Sequence, residues 1–257
     1  GGHIMSSLTM ALIAFVCMFG GALLGAFLRP LLPGHHVCAD SRDVVKLGAG
    51  LIATQAALVL GLLVSSAKGS FDTMNAEITQ AGARIILLDH VLARYGAETQ
   101  DVRKHLQRSL RSTIENIWPK HRDGASGMRV VESSTEWEEA SETIRELTPQ
   151  TESQRLLKAQ AWQIAGELAQ LRWLSLEQSR GSLPTTFLIV LIFWFTVLFV
   201  TFCLLTPSNA TVITVMLVCA LSVAGGVLLV LEMNRPLEGL IKASSAPLEN
   251  ALNHLGR

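Results

Sequence analysis

The sequence predicts an all-α integral membrane protein with four transmembrane helices and a helical cytoplasmic domain inserted between spans 2 and 3. Three observations carry that prediction. Only 16% of the 257 residues are charged, against about 25% in a soluble domain. The deficit is local, because no Asp, Glu, Lys, Arg or His stands between Arg180 and Glu232, a run of 51 residues. Finally, the middle of the chain is charged, lacks strand patterning and repeats its apolar residues at helical spacing.

Taken in order, Gly1–Met5 reads as a tag remnant and is set aside. Ser6 to Leu28 is free of charge and forms the first span, about 7–29. Gly21 and Gly25 within it make a GxxxG pair, a signature of close helix crossing. The run ends on Arg29-Pro30, so it lacks the small-residue cleavage site of a signal peptide. Leu47 to Ala67 is a second uncharged run, bracketed by Lys46 and Lys68. The 51-residue run is long enough for two spans of about 20 residues, and TPSNAT (206–211) supplies the turn between them. The four spans are then about 7–29, 46–68, 184–206 and 210–232, a domain of 69–182 lies between the second and third, and 233–257 forms a tail.

The domain is read as helices with seam-like spacing. Ile78, Ile85, Leu88, Leu92 and Tyr95 share one face, as do Val102, Leu106, Leu110, Ile114 and Ile117, and likewise Leu157, Ala161, Ile164, Leu168 and Leu171. Breaks fall at Gly96, at HRDGASG (121–127) and at LTPQT (147–151), with a shorter helix around 133–147 that turns Trp137, Ile144 and Leu147 inward. No strong breaker separates span 2 from the first domain helix, so one long helix from 46 to 95 is expected, with Gly69 the only candidate interruption. In the tail, Leu237, Leu240, Ile241, Leu248 and Leu252 make an amphipathic stretch suited to the membrane surface or to the domain helices.

With four spans, both termini and the domain share one side. That side carries eighteen of the 21 Lys and Arg residues, leaving Arg29, Arg42 and Lys46 on the other. The positive-inside rule places the termini and the domain in the cytoplasm. The spans are expected in a bacterial inner membrane. A net charge of zero argues against a nucleic-acid partner.

Few residues suggest chemistry. The chain has no P-loop, no G-x-S-x-G and no H-E-x-x-H, so it is read as a non-enzyme without a cofactor. HHVCAD (35–40) gathers metal-ligand types, but its spacing fits no zinc pattern and it is read as an outer loop. EWEEASE (136–142) lacks the calcium-loop pattern and is read as a solvated face, and His90, His105 and His121 as surface residues. Cys17, Cys203 and Cys219 lie in spans and Cys38 in a loop, so there is no disulfide framework.

Span 2 is more informative. Gly50, Thr54, Ala57, Gly61 and Ser65 recur at steps of four, three, four and four, which puts small and hydroxyl residues on one stripe, with Gln55 beside it. Such a stripe serves either close helix packing or a pore lining. It leads toward Lys68 and Asp72. Glu232 and Arg235, three residues apart at the end of span 4, are helix neighbours, read as an exit ion pair before a Pro-marked bend or as a pair at the cytoplasmic mouth of a pathway.

LGLLVSSAKGSFD (60–72), NAEITQAGARIILLDHVLARYG (75–96), PSNATV (207–212) and LSVAGGVLLVLEMNRPLEGLIKASSAPLENAL (221–252) resemble the bestrophin-like family of membrane proteins (DUF4239) from residue 46 onward. The block L-E-x-x-R-P-x-x-G-L-I carries the most specific part and makes Glu232, Arg235, Pro236 and Gly239 family features. Thr73-Met74-Asn75 stands where the family suggests a basic pair. The resemblance implies likeness to bestrophins, which are pentameric anion channels with four spans and a helical cytoplasmic domain. Their calcium-clasp acidic run and aromatic neck are not recognisable here. It also implies that span 2 lines any pore. The function expected is a homo-oligomeric channel for inorganic anions such as chloride, lined by Gly50, Thr54, Gln55, Ala57, Gly61 and Ser65, with Lys68, Asp72, Glu232 and Arg235 at its cytoplasmic mouth. The alternative expectation is a membrane-anchored helical scaffold or signalling module that conducts nothing, motivated by spans without charged or aromatic selectivity features.

Overall fold

The computed structural model describes residues 2–31, 39–118, 129–180, 185–207, 209–237 and 241–256. Among them every regular element is helical. The helices are α1 (Gly2–Leu28), α2 (Ala39–Tyr95), α3 (Gln100–Ile117), α4 (Arg129–Glu146), α5 (Glu152–Arg180), α6 (Thr185–Leu205), α7 (Ala210–Met233) and α8 (Ala246–His254), with short 3-10 turns at Arg29–Leu31 and Ala97–Thr99. Among the described residues four stretches, Ser7–Leu31, Arg42–Tyr95, Thr186–Leu205 and Ala210–Met233, are long and apolar enough to cross a membrane. The long helix expected from 46 to 95 is present as α2, and Gly69 does not interrupt it. The connection expected over 30–45 is shorter than predicted, since α2 already begins at Ala39. An i,i+3 pair between Asp43 and Lys46, 3.1 Å apart, supports its first turns.

The chain forms two compact units: Gly1–Phe71 with Ser182–Ile241, and Asp72–Gly181 with Lys242–Arg257. The first is closed by small residues. Ala14, Met18 and Ala22 of α1 share a core with Phe199 and Cys203 of α6 and Ala220 and Ala224 of α7. The GxxxG pair sits at the α1–α6 crossing. A Cβ added to Gly21 would lie 3.0 Å from the Thr196 methyl, and one added to Gly25 only 2.4 Å from the Val200 carbonyl oxygen. Without a hydrophobic drive between helices in lipid, such backbone proximity supplies the dispersion contact that holds them.

The second unit buries larger side chains. Ile78, Ile85, Leu88, Leu92 and Tyr95 of α2, Val102, Leu106, Leu110 and Ile114 of α3, Ile144 of α4 and Ala161, Ile164 and Leu168 of α5 are buried, while Ile117, Trp137, Leu147, Leu157 and Leu171 are half-buried. Among them lies Asp89, 2% exposed, gripped by the Arg103 guanidinium through Nε–H to Oδ1 at 2.6 Å and Nη2–H to Oδ2 at 2.9 Å. A bidentate pair of this kind satisfies a buried carboxylate.

Side chains also close the helix ends, whose last carbonyls have no partner in their own helix. α2 stops at Gly96, whose φ of 139° excludes other residues without strain. The Thr99 hydroxyl then donates to the Leu92 carbonyl at 2.6 Å, and Gln154 Nε2 donates to that of Tyr95 at 3.2 Å. Lys158 Nζ donates to the carbonyls of Arg145 and Leu147 at 2.7 and 2.8 Å, which terminates α4. α5 starts on a variant capping box. Thr151 Oγ1 accepts from the Gln154 N–H at 3.1 Å, and Gln154 Oε1 accepts from the Gln150 N–H at 2.8 Å.

The tail packs on this unit. Leu248 and Ala251 of α8 and Leu255 beyond it are buried, Leu252 is half-buried, and Ile241 is exposed. Trp118 Nε1 donates to the Ala243 carbonyl at 2.8 Å, and the Gly256 N–H reaches Asp89 Oδ2 at 3.4 Å. Gly82 admits the Pro247 carbonyl, which would stand 2.8 Å from any Cβ there. Leu237 is half-buried in the first unit, and Leu240 lies outside the described residues.

Candidate permeation surface on the second helix

Within the first unit, α2 presents three faces. Its apolar residues leave one narrow packing edge: Ala49, Ala56, Leu63 and Ala67 are buried. Ala56, Leu63 and Ala67 share a core with Leu191 of α6 and Val230 of α7. The second face is the small and hydroxyl stripe. Gly50, Thr54, Ala57, Gly61 and Ser65 are all exposed on the chain. A Cβ added at Gly50 or Gly61 would meet nothing within 4 Å. Packing within the chain therefore does not explain the two glycines. The Thr54 hydroxyl donates back to the Gly50 carbonyl at 2.9 Å, so its lone pairs face outward.

The third face is a leucine ridge. Leu51, Leu58 and Leu62 are 65%, 64% and 62% exposed. Gln55 follows Leu51 by four residues and precedes Leu58 by three, and it is exposed too. At about 100° per residue, Gln55 sits some 120° from the centre of the stripe. Gln55, expected beside the stripe, projects from the leucine ridge next to it.

The four mouth candidates differ in burial. Lys68 and Asp72 are exposed, and each has an interaction partner. Glu232 is 2% exposed, far more buried than a residue reaching out of a span end into water. α7 ends one residue later at Met233, and the Arg235 N–H donates to the Glu232 carbonyl at 3.1 Å in the turn that follows. Arg235 is half-buried and Pro236 buried. This is the Pro-marked bend that the sequence suggested. Gly239 lies outside the described residues.

Other candidates carry little chemistry. Residues 35–38 of HHVCAD and His121 lie outside the described residues, whereas Ala39 and Asp40 begin α2. Glu139 and Glu142 of the acidic run are exposed, and Glu142 pairs with Arg145 one turn on. His90 is exposed and His105 half-buried. Among the described residues no group of three His, Cys, Asp or Glu side chains is placed to hold a metal. Cys203 is buried, whereas Cys17 and Cys219 are exposed on the chain.

Comparison with known proteins agrees with this layout. The chain matches a solved structure of a bacterial bestrophin homolog from Klebsiella pneumoniae, a variant with one isoleucine-to-threonine substitution, at a TM-score of 0.56 and 13% identity, covering 95% of this chain and 97% of that one. At this identity the likeness is one of fold. The comparison with curated proteins gives no match. The model of the bestrophin-like domain matches residues 9–248, nearly the whole sequence, and the chain belongs to that family.

Proposed function

We propose that the chain is a subunit of a homo-oligomeric ion channel in which α2 surrounds the axis and the stripe Gly50, Thr54, Ala57, Gly61 and Ser65 lines the pore. The observation that carries this reading is the open face of α2. A stripe of small and hydroxyl residues stands exposed, with empty space over Gly50 and Gly61, while the opposite edge of the helix is the one the chain itself covers. Small side chains leave room for an ion, and hydroxyls replace part of its hydration shell. A single helix cannot enclose a pore, so several copies must contribute theirs. Membership of the bestrophin-like family supports anions such as chloride as the permeant ions. Lys68 and Arg235 would supply positive charge at the cytoplasmic mouth, where Asp72 and Glu232 tune it. In this reading residues 69–182 and both termini face the cytoplasm of a bacterial cell and the spans lie in its inner membrane.

The test is flux through the purified protein in liposomes, with chloride and potassium gradients applied separately. Chloride flux is expected in the unaltered protein. Ser65→Trp and Gly61→Trp should each abolish it while the oligomer survives. Undiminished flux in both variants overturns the assignment of the lining. Selective potassium flux overturns the anion reading alone.

A further inference from the structure

In the second unit the ends of α2 and α4 line a cavity of about 210 Å³, bounded by Tyr95, Glu98, Thr143, Glu146, Leu147 and Thr148. Local sequence shapes it. Gly96 turns the chain out of α2, and its bare Cα lets the Glu98 carboxylate fold back, since Oε2 would stand 2.5 Å from any Cβ there. The carbonyl of Tyr95 is taken by Gln154, and those of Arg145 and Leu147 by Lys158. The groups left without partners are side chains. Tyr95 is 5% exposed, and its hydroxyl has no hydrogen-bond partner among the described residues. Glu98, whose charge bears on that phenol, lines the same cavity. Glu98 and Glu146 are exposed and form no ion pair with any described residue. The Thr143 hydroxyl gives its proton to the Glu139 carbonyl at 2.7 Å, which leaves its lone pairs to accept. The neighbouring cations are committed elsewhere, Arg145 to Glu142 and Lys158 to its two carbonyls.

We infer that this cavity binds a short aliphatic diamine, with its two ammonium groups on the Glu98 and Glu146 carboxylates and the Tyr95 hydroxyl accepting from one of them. The lining is rich in acceptors and carries two negative charges, so its occupant must donate and be positive. An ammonium has three N–H donors and no acceptor. A hard divalent ion suits the site less well. Calcium takes about six to eight oxygen ligands, and among the described residues no three His, Cys, Asp or Glu side chains gather to hold a metal. Leu147 and the Tyr95 ring give the cavity an apolar wall, which suits the methylene chain of an amine and not a bare ion. The volume lies below the roughly 300–1,000 Å³ of sites for drug-sized ligands, which restricts the occupant to a few heavy atoms. A buried phenol that lacks a partner in the empty cavity gains one when the amine is bound.

The test is equilibrium dialysis of the full chain, in a non-ionic detergent, against labelled 1,4-diaminobutane. Saturable binding of one diamine per chain is expected. Tyr95→Phe should weaken it about ten-fold, and Glu98→Gln and Glu146→Gln about two- to five-fold each. Tyr95→Phe removes a single unpartnered oxygen and keeps the ring, so its weaker binding reads the hydroxyl and not a loss of fold. n-Butylamine, with one charge, should compete more weakly than unlabelled diamine, and 1-butanol not at all. Absence of saturable binding at millimolar diamine overturns the inference. So does binding that Tyr95→Phe, Glu98→Gln and Glu146→Gln all leave unchanged. Displacement by calcium at lower concentration than by unlabelled diamine overturns it by making the occupant a metal ion. The dialysis reads binding and not flux, so its result stands whichever residues line the pore.

Discussion

The two units of this chain are held together differently, and α2 takes part in both. In the first unit its buried residues are Ala49, Ala56, Leu63 and Ala67, three alanines among four. In the second, over a shorter length, they include Met74, Ile78, Ile85, Leu88, Asp89, Val91, Leu92 and Tyr95. The difference follows from the solvent each part is built for. Where water surrounds a helix, burying large apolar side chains lowers the free energy by about 25 cal/mol per Å². In lipid that gain vanishes, and close contact of small residues takes its place. The first part of α2 is therefore lightly committed to its own chain and leaves two faces free. The second part is committed on most of its circumference.

Loss of Asp89 should damage the second unit most. Asp89→Ala leaves the Arg103 guanidinium facing an apolar interior without its carboxylate. Loss of one partner of a buried pair costs about 3–5 kcal/mol, expected as a large fall in the thermal midpoint of the second unit. Replacing both residues by Leu should restore most of that stability, because the uncompensated charge is then gone. Asp89 holds the Arg103 proton above its ordinary affinity, chiefly through the hydrogen bond. A raised pKa in the folded state contributes stability that is fully present at neutral pH and lost only in strongly alkaline solution, as pH rises through the folded value. Arg103 therefore adds no pH dependence near neutrality. Equal stability of Asp89→Ala and the unaltered chain would show that this unit does not depend on the pair.

Gly25 is the counterpart in the first unit. Gly25→Leu drives a side chain into the Val200 carbonyl, which is backbone and cannot swing aside. Overpacking of this kind costs about 1–3 kcal/mol, to be read as earlier unfolding in a denaturing-detergent titration. Gly20, where a Cβ meets nothing within 4 Å, is the control on the same helix. If Gly20→Leu and Gly25→Leu behave alike, close packing is not what holds α1 on α6.

Much of this was legible in the sequence, for a physical reason. Charge is excluded from hydrocarbon, so the uncharged runs gave the spans, and a 3.6-residue repeat gave the buried faces of the second unit down to Ile78, Leu92, Leu106 and Ile164. Gly21 and Gly25 announced their crossing through their spacing. Long-range polar contacts were not legible. Asp89 stands beside Leu88 on an inward face, and only its position on that face hinted that it needed a cation. Nothing local pointed to Arg103, fourteen residues on. The roles of Gln154 and Lys158 as caps for α2 and α4 depend equally on tertiary proximity.

Tyr95 should matter less to the second unit than Asp89. It is buried, and its hydroxyl has no hydrogen-bond partner among the described residues. Burial, with Glu98 nearby, raises its pKa above 10.0. The neutral phenol is thus the folded form, and its contribution is constant below pH 10.0 and falls as pH rises through the higher folded value. Tyr95→Phe removes a buried hydroxyl that lacks a partner. It should leave stability unchanged or raise it by about 1 kcal/mol, and the alkaline decline in the second unit's melting should weaken. A clear loss of stability at neutral pH would mean that the hydroxyl is hydrogen-bonded.

The smallest effect is the most informative about the open face of α2. Glycine inside a helix costs about 0.5–1 kcal/mol relative to alanine, and no atom of the chain lies where a methyl at Gly61 would go. For the chain alone, Gly61→Ala should therefore be stabilising by that amount in a detergent titration of the monomer. In the assembled protein the same methyl projects toward the proposed axis from every subunit at once. Flux should fall while subunit association stays unchanged. If association weakens instead, Gly61 packs against a neighbour and the stripe is an interface. If neither flux nor association changes and the monomer alone is stabilised, the stripe faces lipid, and the glycines of α2 need an explanation other than a pore.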